Sequence, residues 1–534
     1  MSVGDRIHTV RTLAEAGVLR PLRPDKVVGI GRALRRFGPT PAAGYAASAI
    51  RHPDRTAIVD ELGSLSFGDV HRRTNALAHA LADRGVVEGD GMAIMCRNHR
   101  GFVEATVAGS KLGVDALYLN TSFAGPQITE VVKRENPRAI VFDEEFSELV
   151  EDAARRRKRF IAWHGEGKLS DPTLDQLTEE GDPEDVVAPA ERGKAVILTS
   201  GTTGAPKGAS RSQPKSLDPA AVLLSKIPLR SREPTMLAAP LFHSWGFAHF
   251  SLGLSLGSTL VLRRKFDPEE TLSATAQHRC TTLVVVPVMV QRILELPPET
   301  IDRYDLSALR VIAISGSALS PSLAQRAMDR FGDVLYNLYG STEVAWAAIA
   351  TPEDMRAAPG SVGKPPRGTI LKLYDEEGEE VDQGETGRIF VANDMLFEGY
   401  TGGGSKDVIN GLMATGDVGH LDEGGRLFVD GRDDEMIVSG GENVFPQEVE
   451  ELLAAHDGVA DVAVVGVEDE EFGQRLRAVI VRREGAKLDD KDVQEHVKRN
   501  LANYKSPRDV VFVDELPRTS TGKVLKRELT DAEN

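Results

Sequence analysis

Between Thr281 and Gly340, short apolar runs alternate with helix-patterned stretches, and this alternation constrains the fold more than any other feature of the chain. TTLVVV, LRVIAIS and VLYNLYG read as strands, and VMVQRILEL and PSLAQRAMDRF between them read as helices. The same rhythm runs earlier: HRRTNALAHALADRG is a helix stopped by glycine, MAIMC a buried strand, and FVEATVAGSKLG a helix leading into the apolar run ALYL. Repeated strand–helix units imply parallel sheet with helices on both faces. After about Gly360 the texture changes to short strands split by turn pairs, as in LKLYDEEGEE, GRIFVAN and GRLFVDG, which predicts antiparallel hairpins. The last hundred residues return to a mixed pattern: helices at PQEVEELLAAH and DDKDVQEHVKRNL, and strands at DVAVVGV, LRAVIVRR and DVVFVD.

At 534 residues the chain exceeds one ordinary domain. The predicted class is α/β: a large N-terminal domain of parallel-type sheets with helices plus a small antiparallel subdomain, then a small α+β C-terminal domain. Boundaries are placed at 1–50 for a basic leader, 51–432 for the large domain and 433–534 for the small one. The leader carries Arg6, Arg11, Arg20, Arg23, Lys26, Arg32, Arg35, Arg36 and Arg51 against Asp5, Glu15 and Asp25. Its stretch IHTVRTLAEAGVLRPL is read either as an amphipathic helix for an anionic membrane surface or as a strap packed on the domain. The RRRKR run from Arg155 to Arg159 is read as a solvated helix face.

A net charge of −17 argues against general nucleic-acid binding, which needs a basic surface for the phosphate backbone. Cys96 and Cys280 offer neither a disulfide framework nor zinc-ligand spacing, which suits a cytoplasmic protein, membrane-associated at most. No secretory signal pattern is seen at the N-terminus. Pro240 to Leu262 contains no Asp, Glu, Lys or Arg. Its histidines, serines and glycines favour a buried helix and strand over a membrane span.

Four clusters carry chemistry. TSGTTGAPKG, Thr199 to Gly208, emerges from the strand-like KAVILTS. Its glycines allow close backbone approach, the hydroxyls of Thr199, Ser200, Thr202 and Thr203 add donors, and Lys207 adds a point charge, so it suits phosphate. A flexible surface turn is the alternative. The lysine does not follow glycine as in G-x-x-x-x-G-K-[ST], which argues against a P-loop ATPase or kinase. YGSTE, Tyr339 to Glu343, sets a carboxylate beside a hydroxyl at a strand end, a plausible Mg2+ contact. TGD, Thr415 to Asp417, with GRDDE, Gly431 to Glu435, offers an acid and an arginine for a ribose, or a structural ion pair. PRTSTGKVLKREL places Lys523 after a Ser, Thr and Gly turn, or else is a charged tail.

These pieces, together with PLFHSWG (Pro240 to Gly246), SGSALSP (Ser315 to Pro321) and the run GRDDEMIVSGGENVFPQEVE, stand in one order from about residue 50 to 528. In that order the chain resembles the adenylate-forming acyl-CoA synthetases, within the superfamily that also holds luciferases and the adenylation domains of peptide synthetases. FHSWGF and SGGENVFPQEVE look most like bacterial fatty-acyl-CoA synthetases, the long-chain-fatty-acid–CoA ligases. The resemblance implies ATP, Mg2+ and coenzyme A, and a carboxylate that attacks the α-phosphate before the thiol displaces AMP. Medium- to long-chain fatty acids are the expected substrates. Open alternatives are an acyl-AMP ligase that serves a carrier protein and a synthetase for aryl or short-chain acids. A dead binding protein would have lost Glu343 or Lys523, and both are present.

Carried over by position, Thr199, Ser200, Gly201, Thr202, Thr203, Gly204 and Lys207 would hold the β- and γ-phosphates, with Thr199 and Glu343 near Mg2+. Gly316, Ser317, Ala318, Tyr339, Gly340 and Ser341 would frame AMP, Thr342 would touch the α-phosphate, and Asp417 and Arg432 would bind ribose. Lys523 would stabilise charge during adenylation. Asp434 matches the hinge of the rotating C-terminal domain, and Gly440 and Gly441 the pantetheine tunnel. His243, Trp245, Val344 and Trp346 are candidates for the acyl pocket, with His243 and Trp245 read equally as a gate or as packed core. Ser317, where many members have glycine, and the ASR after the loop depart from family habit and bear on substrate size. A homodimer is left open.

Overall fold

The computed structural model describes residues 3–167, 169–199, 207–211, 214, 216–435, 437–439, 442–469, 473–519 and 522–530. Two large sheets form the body. One has eight strands in the spatial order Ala348–Ala350, Leu335–Tyr339, Val311–Ile314, Thr282–Val285, Pro234–Leu237, Thr259–Val261, Thr56–Asp60 and Gly63–Ser66. All its pairs are parallel except the two at its edges. The other has seven strands, with Ala195–Thr199 beside Asp115–Tyr118 in its parallel part. The strands are wholly apolar where helices cover both faces, as in the fully buried Val311–Ile314.

The antiparallel subdomain expected after Gly360 is a five-stranded sheet in which Leu412–Leu421 pairs with both Gly387–Ala392 and Leu427–Arg432. A short 3-10 turn, Asp433–Glu435, then leads to a C-terminal sheet built on the pair Val459–Asp469 and Gly473–Arg482. This last unit has its own core around Val464, Ile480 and Val497.

The charge-free stretch is a helix, Ser244–Leu256, followed by the strand Thr259–Val261. The helix is apolar nearly all round, which fits a buried element. Among the described residues no helix is long and apolar enough to cross a membrane.

The leader is three helices: α1 (Val3–Glu15), α2 (Pro24–Phe37) and α3 (Pro41–Arg51). Proline stands in the first turn of α2 and of α3, where its missing N–H costs nothing. The boundary expected at residue 50 falls inside α3, whose buried Ala42, Ala43, Tyr45 and Ala46 belong to the body. The leader is packed on the body as a strap: Thr9 donates to Asp218 Oδ1 at 2.8 Å and Lys26 to the Arg51 carbonyl at 2.6 Å. The RRRKR run is not a helix face. The preceding helix ends at Ala154, and Lys158 and Arg159 open the strand Lys158–Trp163, with Arg159 paired to Asp171 at 3.1 Å and its guanidinium over the Phe142 ring.

Candidate active site

The strand Ala195–Thr199 pairs antiparallel with Lys207–Arg211, Thr199 opposite Lys207. A Walker-type loop runs from a strand into a helix; here the segment between joins two strands of one hairpin. Ser200, Gly201, Thr202, Thr203 and Gly204 lie outside the described residues, as does the side chain of Thr199. Lys207 sits with its ammonium 5.1 Å from the centre of the Tyr400 ring.

Two other strands end beside this hairpin's mouth. Ser315 follows Val311–Ile314 and donates to the Leu338 carbonyl at 2.7 Å, tying its turn to the neighbouring strand. After Leu335–Tyr339 the chain makes a tight reversal. A Cβ on Gly340 would lie 2.3 Å from the Ala345 carbonyl oxygen, and Ala345 itself has φ +62. The left-handed conformation is strained for alanine and persists only where its surroundings enforce it.

That reversal organises Thr342 and Glu343. Thr342 Oγ1 is 2.7 Å from Ser244 Oγ, and its carbonyl accepts from Arg211 Nη2 at 2.5 Å. Glu343 is buried, and its Oε1 accepts from the Tyr400 hydroxyl at 2.8 Å. Burial pulls the Arg211 guanidinium down to about 10, while the nearby Glu343 carboxylate opposes the shift. Sequence reading missed Ser244, Arg211 and Tyr400. The signals were that Ser244 lies within PLFHSWG and Arg211 within the unusual ASR after the loop. A fixed carboxylate among hydroxyls beside a phosphate-type hairpin is a donor set that fits Mg2+.

Asp417 and Arg432, far apart in sequence, are direct cross-strand partners, and their charged groups stand 3.5 Å apart. Tyr339 donates to Asp417 Oδ2 at 2.5 Å and to Thr415 Oγ1 at 3.2 Å. Burial raises the Asp417 carboxyl, against the pull of Tyr339, Arg432 and Lys523; burial and the Asp417 carboxylate push the Tyr339 phenol well up. Tyr339, Asp417 and Arg432 therefore form one half-buried polar cluster, lining the same cavity as Gly316, Ser317 and Ala318.

Lys523 reaches this cluster from the C-terminal domain. Its charge is close enough to act on both Asp417 and His243, and burial together with that charge drives the His243 imidazole down to about 3. His243 is therefore neutral across the physiological range. The loop bearing Lys523 is braced by Thr519, whose Oγ1 accepts from the Lys523 N–H at 3.1 Å, and by the Arg518–Asp461 ion pair at 2.6 Å. Behind it, Lys526 bridges Glu435 and Glu450, 3.0 Å from each. Asp434 lies in the turn Asp433–Glu435 but its side chain is outside the described residues, as are Gly440 and Gly441.

One cavity of about 1540 Å3 joins these groups, lined among others by Lys207, Tyr339, Asp417, Arg432 and Lys523. His243, Trp245 and Trp346 line it too. Trp245 donates its indole N–H to the Val285 carbonyl at 3.1 Å, and Trp346 to Thr369 Oγ1 at 2.9 Å, so both are wall residues held in place. Val344 is the exception among the expected pocket residues. It points away from the cavity into a small core with Ala209, Phe397 and Met413 and is fully buried, because the reversal at Ala345 turns adjacent side chains to opposite sides.

Residues 45–401 match the model of the AMP-binding enzyme family, and residues 448–523 that of the AMP-binding enzyme C-terminal domain. Indoleacetate–CoA ligase of Aromatoleum aromaticum is 34% identical over 89% of this chain and 94% of that protein. A feruloyl-CoA synthase of Amycolatopsis is 33% identical over 89% of this chain and 96% of the relative. The solved o-succinylbenzoate CoA synthetase of Bacillus subtilis, in complex with its acyl-adenylate intermediate, superposes with a TM-score of 0.80 at 26% identity, covering 92% of this chain and 98% of the other. With the hairpin, the Tyr339–Asp417–Arg432 cluster and Lys523 assembled around one cavity, the chain belongs to the AMP-binding enzyme family, as an acyl-adenylate-forming acid–coenzyme A ligase that works with ATP, Mg2+ and coenzyme A.

Proposed function

We propose that the acid activated here is an extended apolar one, a medium- to long-chain fatty acid, and that the acyl group passes to coenzyme A. The supporting observation is how far the cavity's lining extends: besides the polar cluster it includes apolar residues of the helix Asp218–Leu224, the helix Ser244–Leu256 and α3, among them Ala220, Leu223, Leu252, Leu254, Ala43 and Ala47. Small-molecule sites are typically about 300–1,000 Å3, so a nucleotide alone does not account for this apolar lining.

In the first half-reaction the acid's carboxylate oxygen bonds to the α-phosphorus and the bond to pyrophosphate breaks. In this reading Asp417 and Arg432 hold the ribose, while Gly316, Ser317, Ala318 and Tyr339, with Gly340 and Ser341, frame the base. Thr342 faces the α-phosphate, and Lys523 neutralises the charge growing on it. Lys207 and the hairpin segment restrain the leaving pyrophosphate, and Thr199 and Glu343 would hold Mg2+, which supplies charge neutralisation. In the second half-reaction the thiol sulfur bonds to the acyl carbon and AMP leaves. That step needs Lys523 withdrawn and a path for pantetheine, the role assigned to the hinge at Asp434 and to Gly440 and Gly441.

A second reading, an aryl acid, draws its support from the indoleacetate and feruloyl relatives. Acid-dependent pyrophosphate release, measured from acetate through octadecanoate and with indoleacetate and ferulate, each with and without coenzyme A, separates the two. The fatty-acid reading expects a maximum at medium or long chains and turnover that requires coenzyme A. A maximum at an aryl acid or at acetate overturns it, and turnover indifferent to coenzyme A favours a carrier-protein acceptor.

A further inference from the structure

α2 has two apolar faces. Ala33 and Phe37 are buried against the body, whereas Val27, Val28 and Leu34 are 54%, 61% and 46% exposed on its outer side. α1 repeats the pattern: Thr12 and Leu13 are buried, and Ile7 and Val10, three apart on one face, are 64% and 56% exposed. A surface helix ordinarily turns polar residues outward. These outward apolar side chains are accompanied by exposed Arg6, Arg32 and Arg35 on the two helices and Arg20 between them, on a protein whose net charge is −17. The helices are held in place by Thr9 on Asp218, by the Ser231 hydroxyl donating to the Gly17 carbonyl at 2.8 Å, and by the Arg36–Asp185 ion pair at 2.6 Å. The same helix borders the cavity, since Ile30 and Leu34 line it. A lining residue as exposed as Leu34 marks a place where the cavity reaches the surface.

We infer that α1 and α2 dock this protein on an anionic lipid bilayer, with the cavity opening beside α2 at the lipid surface, so that an apolar acid can pass from membrane to site. Apolar side chains would sit at the headgroup boundary while the arginines meet anionic headgroups, and the acidic remainder of the protein would be repelled, which fixes the orientation. A second copy of this chain fits the face less well, because a two-fold contact through α2 would bring Arg32 and Arg35 towards their own copies. The passage of acid rests on the fatty-acid reading; the docking is tested without turnover.

The full chain, without acid or ATP, is floated with vesicles of phosphatidylcholine alone and with vesicles about a third phosphatidylglycerol. The expected result is binding to the anionic vesicles only. The variants Val27→Asp/Val28→Asp and Arg32→Glu/Arg35→Glu, at exposed positions outside the cavity lining, should lower it about thirtyfold or more with an unchanged melting curve. Equal partitioning of wild type and variants, or no binding to either vesicle, overturns the docking. So does a wild-type dimer in solution that the same substitutions turn into monomer. Because no acid is present, a failed acid panel leaves this result standing, and the reverse also holds.

Discussion

Lys111 is a fully buried ammonium, donating to the His71 carbonyl at 3.0 Å, to Thr74 Oγ1 at 2.8 Å and to Asn75 Oδ1 at 2.5 Å. Burial lowers its pKa to about 7. The unfolded chain, with an ordinary lysine value, holds the proton to higher pH than the folded one. Stability therefore rises with pH between about 7 and 10, by about 1.4 kcal/mol per unit at most. In urea unfolding at pH 7 and pH 9, Lys111→Met should show a flatter pH dependence than wild type; equal slopes would refute the assignment. Tyr339→Phe removes the donor that meets the half-buried Asp417 carboxylate. A hydrogen bond to a charged group of this kind is worth about 1.5–3 kcal/mol, so the KM for ATP should rise roughly tenfold or more, with kcat less affected. A KM unchanged in steady-state kinetics would mean that the hydroxyl does not orient Asp417 in the role proposed for it. Asp417 and Arg432 were each legible from short motifs, but their pairing follows from strand register. Arg211 was visible only as part of the ASR after the loop: its role becomes notable only when burial leaves it facing Thr342 and Glu343.

At the scale of elements, periodicity was a sufficient guide wherever one element buries an apolar face on its own. The helix Ser244–Leu256 and the parallel strands are in that class. It failed at RRRKR, because charge density carries no period and a strand edge can present arginines as readily as a helix. Position in the chain was no guide at Val344, expected beside Glu343 to line the acyl pocket, because its side chain enters a small separate core. The reversal after Tyr339 makes a prediction. Gly340→Ala puts a methyl group 2.3 Å from the Ala345 carbonyl, a backbone clash. Overpacking of this sort costs about 1–3 kcal/mol or more and must displace Thr342 and Glu343. Acid-dependent pyrophosphate release should fall by at least about tenfold, and wild-type activity in this variant would show that the turn does not position the site.

The whole molecule is seen with Lys523 lining the cavity, and a contact beside it is narrow. Gly522 has φ +81, and a Cβ there would lie 2.5 Å from Val288 Cγ1, on the helix Pro287–Leu294 of the large domain. If Lys523 acts as proposed, Gly522→Ala should disfavour this arrangement, slowing adenylate formation while sparing thiolysis of supplied acyl-adenylate. Lys523→Ala should do so more severely, by about a hundredfold or more. Equal loss of both half-reactions in either variant would sink the division of labour. The sequence by itself determined the fold class, the order of the motifs and the family, because apolar periodicity and short phosphate-type loops are local properties. Tertiary structure alone decided that Asp417 meets Arg432 and Tyr339, that Lys523 arrives from another domain, and that the leader helices both wall the cavity and turn apolar side chains outward. Those facts depend on which distant surfaces exclude water from one another, and pairwise burial across hundreds of residues leaves no local signature.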